Sequence, residues 1–271
     1  MSLLSGVCKH KRLKVFSFNC NKISNQTQET NRKKTIVLVH GAFADGSSWS
    51  KVIPLLLAQD LNVVAVQNPT TSLADDVAAV NRALESISEP VILVGHSWGG
   101  VVITEAGVHE KVEALVYVSA FAPSDAQSVN DLLADYPQPE WFGAVSADSG
   151  GFLKISTEGI AEYFAQDLSD DEKSLVATVQ TPFALSANAD KVTVNSWSEK
   201  PSWFVVSAND RIIYPELERK MAEKLGAKVT EVSASHVSML AKPEEVAAVI
   251  LDAAQVLENQ KTEESFSKGA E

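Results

Sequence analysis

The apolar residues of this chain fall into short, nearly continuous runs that alternate with longer segments of helical spacing. Runs rich in β-branched residues and poor in charge predict β-strands. They cover Thr35–His40, Leu61–Gln67, Pro90–Gly95, Val112–Ser119, Ser202–Ser207 and Ala227–Val232. Continuous apolar runs are typical of parallel strands that are buried on both faces. The pattern therefore predicts a sheet with a covering layer on each side.

Helical spacing occupies most of the intervals between these strands. The predicted helices cover Ser47–Gln59, Ser72–Ser86, Gly99–Val108, Pro215–Leu225 and Pro243–Glu258. Ser72 stands three residues before Asp75, a spacing typical of a capped helix start. Regular alternation of strands and helices indicates the α/β class, with a doubly wound, mostly parallel sheet and right-handed crossovers.

One interval is too long for an ordinary crossover. We interpret residues 124–199 as a helical cap inserted into a core formed by residues 34–123 and 200–258. Helical patterns cover Thr157–Gln166 and follow Ser169, and aromatic residues are concentrated in this interval. Residues 259–271 are polar, and we expect them to form a frayed tail.

Composition and charge exclude several classes of protein. The 271 residues are 45% hydrophobic, which is too apolar for a chain disordered throughout. Uncharged stretches such as Pro90–Thr104 are too short to span a membrane. A formal charge of −12 argues against a nucleic-acid partner, because binding phosphates requires a basic face.

The N-terminal segment differs from the rest of the chain in its charge. Residues 1–34 carry eight Lys or Arg and a single acidic residue, Glu29. We interpret residues 1–33 as a basic, disordered extension; a mitochondrial or plastid transit peptide is the alternative. Cys8 and Cys20 both lie here, so no disulfide can hold the remaining chain together. That distribution suits a reducing compartment, and we expect a cytoplasmic protein.

The most specific motif is Gly95-His96-Ser97-Trp98-Gly99, between a predicted strand and a predicted helix. A strand that turns directly into a helix exposes the central serine in a strained conformation. The N–H groups at the start of that helix can face a developing negative charge. The motif therefore predicts that Ser97 is a nucleophile.

A nucleophilic serine needs a base, which an acid must orient. Of the five histidines we favour His236, because it follows the last strand at the edge where such sheets place their sites. We expect His40 to be structural and His96 to point away from the nucleophile. Asp210 follows the preceding strand and gives the chain order Ser, Asp, His, which is typical of this architecture. Asp125, after an earlier strand, is the alternative acid.

The loop after the first strand, His40-Gly41-Ala42-Phe43, lets the backbone approach the nucleophile. Its geometry predicts an oxyanion hole made by the backbone N–H groups of Ala42 and Trp98. We expect four apolar side chains to contact the substrate, although cap aromatics more often form a small local core. They are Phe43, Trp141, Phe164 and Met239.

Four segments, HGAF, GHSWGG, NDRIIYPE and SHVSMLAKP, together resemble the α/β-hydrolase fold family over Thr35–Ala254. Within it, the chain is most similar to small bacterial and fungal hydrolases related to the plant methylesterase and hydroxynitrile lyase group. Two positions depart from the cyanohydrin-cleaving members, which typically carry threonine in place of Gly41 and lysine in place of Val237. Trp98 is also bulkier than the leucine or tyrosine often found after the nucleophile, so we expect it to narrow the pocket.

The resemblance implies acyl transfer by Ser97, His236 and Asp210 on a small-molecule ester, with no metal and no organic cofactor. Three hypotheses remain open: a serine carboxylesterase, a lyase or other non-hydrolytic enzyme on the same triad, and a ligand-binding receptor that kept the pocket. The intact triad favours an enzyme. The sequence leaves the oligomeric state open, a homodimer included.

Overall fold

A parallel sheet of six strands forms the centre of the computed structural model, which describes the backbone of residues 34–268 and the side-chain environments of residues 34–257. The described strands are β1 (Thr35–Val39), β2 (Asn62–Val66), β3 (Val91–His96), β4 (Val112–Val118), β5 (Val145–Ala147), β6 (Phe152–Ile155), β7 (Phe183–Ala184), β8 (Ser202–Ser207) and β9 (Lys228–Val232). The central sheet has the order β2-β1-β3-β4-β8-β9. All of its pairs are parallel, so the predicted α/β class and sheet type are confirmed.

Strand order reverses between β1 and β3. The chain runs from β1 outward to β2, then returns to add β3 on the other side of β1. Val39 at the end of β1 lies in register with Gly95 near the end of β3. At such a reversal the loops after the two strands diverge to opposite faces and leave a crevice. The predicted oxyanion loop and Ser97 therefore start from neighbouring strand ends.

Helices of the described chain are α1 (Ile53–Leu57), α2 (Leu73–Glu85), α3 (Trp98–Ala106), α4 (Val129–Leu133), α5 (Thr157–Gly159), α6 (Asp170–Thr178), α7 (Pro215–Leu225), α8 (Ser238–Ala241) and α9 (Pro243–Lys268). The side chain of Ser72 caps α2 by accepting a hydrogen bond from the N–H of Asp75, as the spacing predicts. Each strand of the β1–β3–β4 centre is almost wholly buried, which agrees with its continuous apolar sequence.

Two predicted helices differ in extent from the observed ones. The interval Ser47–Gln59 divides into a 3-10 turn, Gly46–Trp49, and α1, because Pro54 lacks an N–H and is tolerated only in the first turn of a helix. At the other end, α9 continues past Glu258 to Lys268. No glycine or proline interrupts the chain between Pro243 and Gly269, so nothing in the sequence stops the helix earlier.

The segment 124–199 contains helices α4, α5 and α6, together with a small antiparallel sheet of order β5-β6-β7 that the sequence pattern did not predict. A wider, π-helical turn continues α5 over Ile160–Phe164.

Within residues 34–268, no helix combines the length and the apolar content needed to cross a bilayer. The expectations for residues 1–33 lie outside the described part of the chain.

Candidate active site

Ser97 occupies a strained turn between β3 and α3. Its backbone has φ +53° and ψ −120°, a conformation that residues other than glycine seldom adopt. The turn is tight because α3 lies directly against the end of β1: a Cβ on Gly99 would lie 2.5 Å from the carbonyl oxygen of Val39. Backbone strain held by such packing is typical of a functional site. The fold therefore presents Ser97 at the apex of the predicted elbow.

Asp210 and His236 form a buried hydrogen-bonded pair. Nδ1–H of His236 donates to Oδ2 of Asp210 over 2.6 Å, and both side chains are fully buried. The other carboxylate oxygen, Oδ1, accepts the N–H groups of Ile212 and Ile213 over 2.7 and 3.0 Å. Both oxygens are thus held by N–H donors, which fixes the carboxylate against the imidazole. Asp125, the alternative acid, is exposed.

The second ring nitrogen of His236 is left available for chemistry. Nε2 is buried and has no hydrogen-bond partner among residues 34–257, Ser97 included. Hydrogen bonds between a nucleophile and its base are often long before substrate binds and tighten in the reacting complex. Nε2 can therefore act as a base only towards a group brought to it. The sequence motif predicts that this group is the hydroxyl of Ser97, whose neighbour His96 contacts the His236 ring.

His96, which we expected to point away from the nucleophile, contacts the residue predicted to be the base. The imidazole lies 4.7 Å from that of His236, centroid to centroid, and its Nε2–H donates to the backbone carbonyl of His236 over 3.0 Å. Burial and the neighbouring His236 hold the pKa of His96 well below its ordinary value, so the ring is neutral. The two residues are 140 positions apart in sequence, and no local pattern indicates their contact. His96 braces the loop that carries the base.

The oxyanion loop lies close against the nucleophile. A Cβ on Gly41 would lie 2.6 Å from Cβ of Ser97 and 3.0 Å from Nδ1 of His96, so the position accepts only glycine. Nδ1–H of His40 donates to the Gly41 carbonyl over 2.9 Å and fixes this peptide, which agrees with a structural role for His40. Ala42 follows in a turn. This loop brings the Ala42 backbone to the Ser97 side of the crevice.

Trp98 supplies the other predicted oxyanion N–H, from the first position of α3, where a backbone N–H has no partner within its own helix. Its side chain is buried against α2 and donates from Nε1 to Oδ2 of Asp76 over 2.7 Å. The N–H of Thr70 donates to the other oxygen over 2.7 Å. Desolvation raises the pKa of Asp76, while these donors lower it. Sequence reasoning missed Asp76, whose position on α2 carries no motif.

A cavity of about 150 Å³ adjoins the catalytic loops. Two of the predicted substrate contacts, Phe43 and Phe164, line it, together with Val237 and Leu240 from the chain beside His236. Helix α6 closes the opposite wall with its apolar side chains. Phe164 also meets the His236 ring edge-on at 5.0 Å. The cavity wall is mostly apolar and suits a small apolar group.

The other two predicted substrate contacts lie behind this wall. Trp141 packs edge-on against Phe43 at 6.1 Å and donates from Nε1 to the Ile212 carbonyl over 3.1 Å. Met239 is fully buried and is not among the described residues that line the cavity. Trp98, which we expected to narrow the pocket, does not line this cavity either, because Asp76 holds its indole against α2.

Side chains of the 124–199 segment brace the loops on both sides of the acid–base pair. Asp167 accepts the N–H of Ser235 over 2.7 Å, immediately before His236. Gln166 donates to the carbonyl of Asn209 over 2.7 Å, immediately before Asp210. The inserted segment therefore positions both members of the pair as well as closing the cavity.

An ion pair joins the inserted segment to the core at the cavity rim. Nζ of Lys51 lies 2.5 Å from Oε1 of Glu172 on α6 and also donates to the Leu240 carbonyl over 2.9 Å. Lys51 and the hydroxyl of Ser169 lower the pKa of Glu172 to about 2. The rim is thus partly charged although the wall inside it is apolar.

No group of three or more metal-ligating side chains occurs in the described residues. The arrangement instead combines a strained serine, a histidine with one free nitrogen, an aspartate that orients it, and a glycine loop beside the serine. Such a set can form and hydrolyse an acyl-enzyme.

The chain is similar in sequence to several plant proteins. Salicylic acid-binding protein 2 of Nicotiana tabacum and methylesterase 1 of Arabidopsis thaliana are each 27% identical to this chain, covering 82% of it and 97% of their own length. Polyneuridine aldehyde esterase of Rauvolfia serpentina is 26% identical, covering 82% of this chain and 96% of its own. These matches confirm the resemblance to the plant methylesterase group.

Solved structures show the same fold. The crystal structure of polyneuridine aldehyde esterase matches with a TM-score of 0.71 at 23% identity, covering 82% of this chain and 100% of that one. That of a pyrethroid hydrolase from Sphingobium faniae matches with a TM-score of 0.70 at 20% identity, covering 82% of this chain and 97% of that one. A model of the alpha/beta hydrolase family matches residues 36–249. The chain therefore belongs to the alpha/beta hydrolase family.

Proposed function

We propose that this chain is a carboxylic ester hydrolase that acts on small, largely apolar esters through a Ser97–His236–Asp210 acyl-enzyme mechanism. The observation that carries the proposal is the buried His236–Asp210 pair, which leaves Nε2 of His236 without a partner among the described residues. The strained turn that holds Ser97 supports it. Several relatives are esterases by name, including the methylesterases and polyneuridine aldehyde esterase, which supports the same reaction class.

The mechanism begins with proton transfer from Oγ of Ser97 to Nε2 of His236. Oγ attacks the ester carbonyl carbon, and the N–H groups of Ala42 and Trp98 stabilise the oxyanion that forms. The imidazolium, stabilised by Asp210, returns the proton to the leaving alkoxide as the C–O bond breaks. A water molecule then loses a proton to His236 and attacks the acyl carbon. Collapse of this second intermediate releases the carboxylic acid and restores Ser97.

The cavity supports the substrate class. Its volume of about 150 Å³ and its apolar wall, formed in part by Phe43 and Phe164, fit an acyl or alcohol group of a few carbons to one ring. Ser97 and His236 are not among the residues that line the cavity, but Phe164 in its wall contacts the His236 ring edge-on. We therefore expect short-chain aryl and methyl esters to be better substrates than long-chain or strongly charged ones.

Two positions favour hydrolysis over cyanohydrin cleavage. Release of cyanide benefits from a cation beside the catalytic histidine, and Val237 at that place is a buried apolar residue. Gly41 leaves no space for a side-chain hydroxyl near Ser97, since even a Cβ there would lie 2.6 Å from the serine Cβ. The oxyanion loop instead leaves the backbone free to approach an ester carbonyl.

The proposal is tested with a fluorophosphonate label and a panel of short esters, lactones and cyanohydrins. The purified wild-type chain should take up one label on Ser97 and hydrolyse short esters, and Ser97→Ala should do neither. Ser88→Ala, at an exposed position, serves as the serine control. Cyanide release from mandelonitrile with negligible ester turnover would establish the lyase alternative. Tight ligand binding without labelling or turnover would establish the receptor.

A further inference from the structure

Glu218 is a carboxyl group buried behind the catalytic pair, and the mechanism above does not use it. It lies on α7, among residues that face the sheet, and is fully buried. Its Oε2 accepts a hydrogen bond from the N–H of Ser207, the last residue of β8, over 3.1 Å. Asp210 follows Ser207 after two residues. The helix therefore places Glu218 beneath the loop that carries the catalytic acid.

The carboxyl of Glu218 lies beside that of Asp210. Oε1 of Glu218 is buried and meets no N–H or O–H donor in the described part of the chain, while the side chain of Asp210 lies within hydrogen-bonding contact of Glu218. Two carboxyl groups can form a hydrogen bond only if one of them carries a proton. An orphaned buried oxygen beside a second carboxyl is thus explained by a proton between them.

The surrounding donors decide which carboxyl holds that proton. Asp210 accepts three N–H groups, from Ile212, Ile213 and His236, so both of its oxygens already serve as acceptors. Glu218 accepts one, from Ser207. Burial and the adjacent charge of Asp210 both raise the pKa of Glu218 well above its ordinary value. The proton therefore resides on Glu218.

The cation on the same helix does not neutralise Glu218. Arg219 lowers the pKa of Glu218, but its effect is the smallest of those that act on this carboxyl. Its guanidinium forms a two-pronged ion pair with the exposed carboxylate of Glu231 on β9, at 2.9 and 2.7 Å. The charged and titratable groups that face Glu218 are thus Asp210, directly, Arg219 at a distance, and His236 on the far side of Asp210.

We propose that Glu218 is a positioning residue: as a neutral carboxylic acid it donates a hydrogen bond from Oε1 to Asp210 and so fixes the carboxylate that orients His236. This inference rests on the proposed function for its kinetic consequences, but its protonation state does not depend on any activity. Glu218 contacts neither Ser97 nor the cavity wall among the described contacts, so it acts through Asp210 alone.

Three variants test the proposal. Glu218→Gln keeps a donor towards Asp210 and an acceptor for Ser207 but cannot ionise. Glu218→Leu fills a similar volume and donates nothing. Glu223→Gln makes the same chemical change at an exposed position of α7 and is the matched control.

The first readout is the melting temperature, Tm, as a function of pH. The pKa of Glu218 in the folded protein is raised above its unfolded value of about 4.5. The stability that this shift contributes is complete below about pH 4.5 and is lost as pH rises through the folded-state pKa. Glu218→Gln removes this loss, so its Tm should gain on the wild type steadily between pH 5 and pH 9. The Tm difference between Glu223→Gln and wild type should stay flat. A flat difference for Glu218→Gln would mean that Glu218 is ionised in the folded protein and would overturn the proposal.

The second readout is the pH profile of kcat/KM for a short ester. Loss of a hydrogen bond to a buried carboxylate lowers turnover on the order of 10–100-fold. Glu218→Leu should lower kcat by this factor with little change in KM and should shift the acid limb of the profile, and Glu218→Gln should restore both. Wild-type kcat and profile in folded Glu218→Leu would contradict the positioning role. If the wild type hydrolyses no ester, the proposed function fails, and the Tm series still decides the protonation of Glu218.

Discussion

The indole Nε1 of Trp98 and the carboxylate of Asp76 form a buried 2.7 Å hydrogen bond between α3 and α2, directly behind the nucleophile. Trp98 is only 2% exposed, and Asp76 is fully buried. The backbone N–H of this same tryptophan is the proposed oxyanion donor. The hydrogen bond to Asp76 therefore helps to fix the orientation of the Trp98 backbone, including the N–H proposed to stabilise the oxyanion.

Removing this carboxylate should destabilise the fold. Asp76→Ala leaves the indole of Trp98 and the N–H of Thr70 buried without an acceptor, which costs roughly 2–4 kcal/mol of unfolding free energy. Urea denaturation of Asp76→Ala, Trp98→Phe and the double variant measures the coupling, which we expect to exceed about 1 kcal/mol. Glu85→Ala, exposed on the same helix, should change stability by less than about 0.5 kcal/mol. Strict additivity of the two changes would contradict the role assigned to the bond.

Replacing Asp210 should lower ester turnover far more than replacing Asp125. Asp210→Asn permits the wrong tautomer of His236, an exchange that costs on the order of 10⁴ in turnover in a well-studied triad. Asp125 is exposed, so Asp125→Asn is the matched control and should leave turnover within about twofold. Steady-state hydrolysis of a short aryl ester provides the measurement. The opposite ranking would transfer the role of acid to the loop after β4.

Gly41 should tolerate no side chain. In Gly41→Ala the new Cβ would lie 2.6 Å from Cβ of Ser97, so either the oxyanion loop or the serine turn must shift. We expect a loss of kcat of at least about 100-fold, as for removal of an oxyanion donor. Gly143→Ala is the control, because a Cβ there meets nothing within 4 Å. Measuring Tm alongside kcat separates displaced catalytic groups from unfolding, and unchanged kcat in Gly41→Ala would refute the close approach.

The rim ion pair should make stability sensitive to acid. Lys51 and Ser169 lower the pKa of Glu172 to about 2, so the stabilisation is complete above about 4.5 and is lost as pH falls through about 2. Glu172 is about one third exposed, which limits the effect to less than about 1 kcal/mol. The Tm of Glu172→Gln should therefore fall less than that of the wild type as the pH is lowered from 5 to 2.5. Glu158→Gln, at an exposed position of the same segment, is the control, and its Tm should change with pH as that of the wild type does. A Glu172→Gln variant whose Tm also follows the wild type would show that the ion pair contributes nothing.

Local patterns in the sequence were sufficient to predict the central sheet, and they also pointed to Ser97, Asp210 and His236 as candidates for the site. Parallel strands buried on both faces leave continuous apolar runs, and the nucleophile turn requires glycines at fixed spacing. The helix over Ser47–Gln59 was only partly right, because the position of Pro54 divides it.

What sequence reasoning missed depends on contacts between distant residues. His96 meets His236 across 140 positions, and Asp76 meets Trp98 across 22, so neither pair leaves a local signature. Glu218 looks like an exposed helical glutamate until α7 is packed against β8. The strands β5, β6 and β7 are too short for their alternation to be recognised.

The pairing of β4 with β8 has a consequence for how this enzyme could be rebuilt. The chain leaves the sheet at the carboxyl end of β4 and returns at the amino end of β8, its parallel neighbour, so no other strand of the central sheet lies between the two ends of the intervening segment. A replacement of different length and sequence could be grafted there without moving any strand, giving the enzyme a new specificity wall over unchanged chemistry. Such a graft would have to reproduce the carboxylate of Asp167 and the amide of Gln166, since these hold the loops of the base and the acid. The bond from Trp141 to the Ile212 carbonyl and the Lys51–Glu172 ion pair join the same segment to the core, so these side-chain contacts, rather than the sheet, limit how freely this part of the molecule can be exchanged.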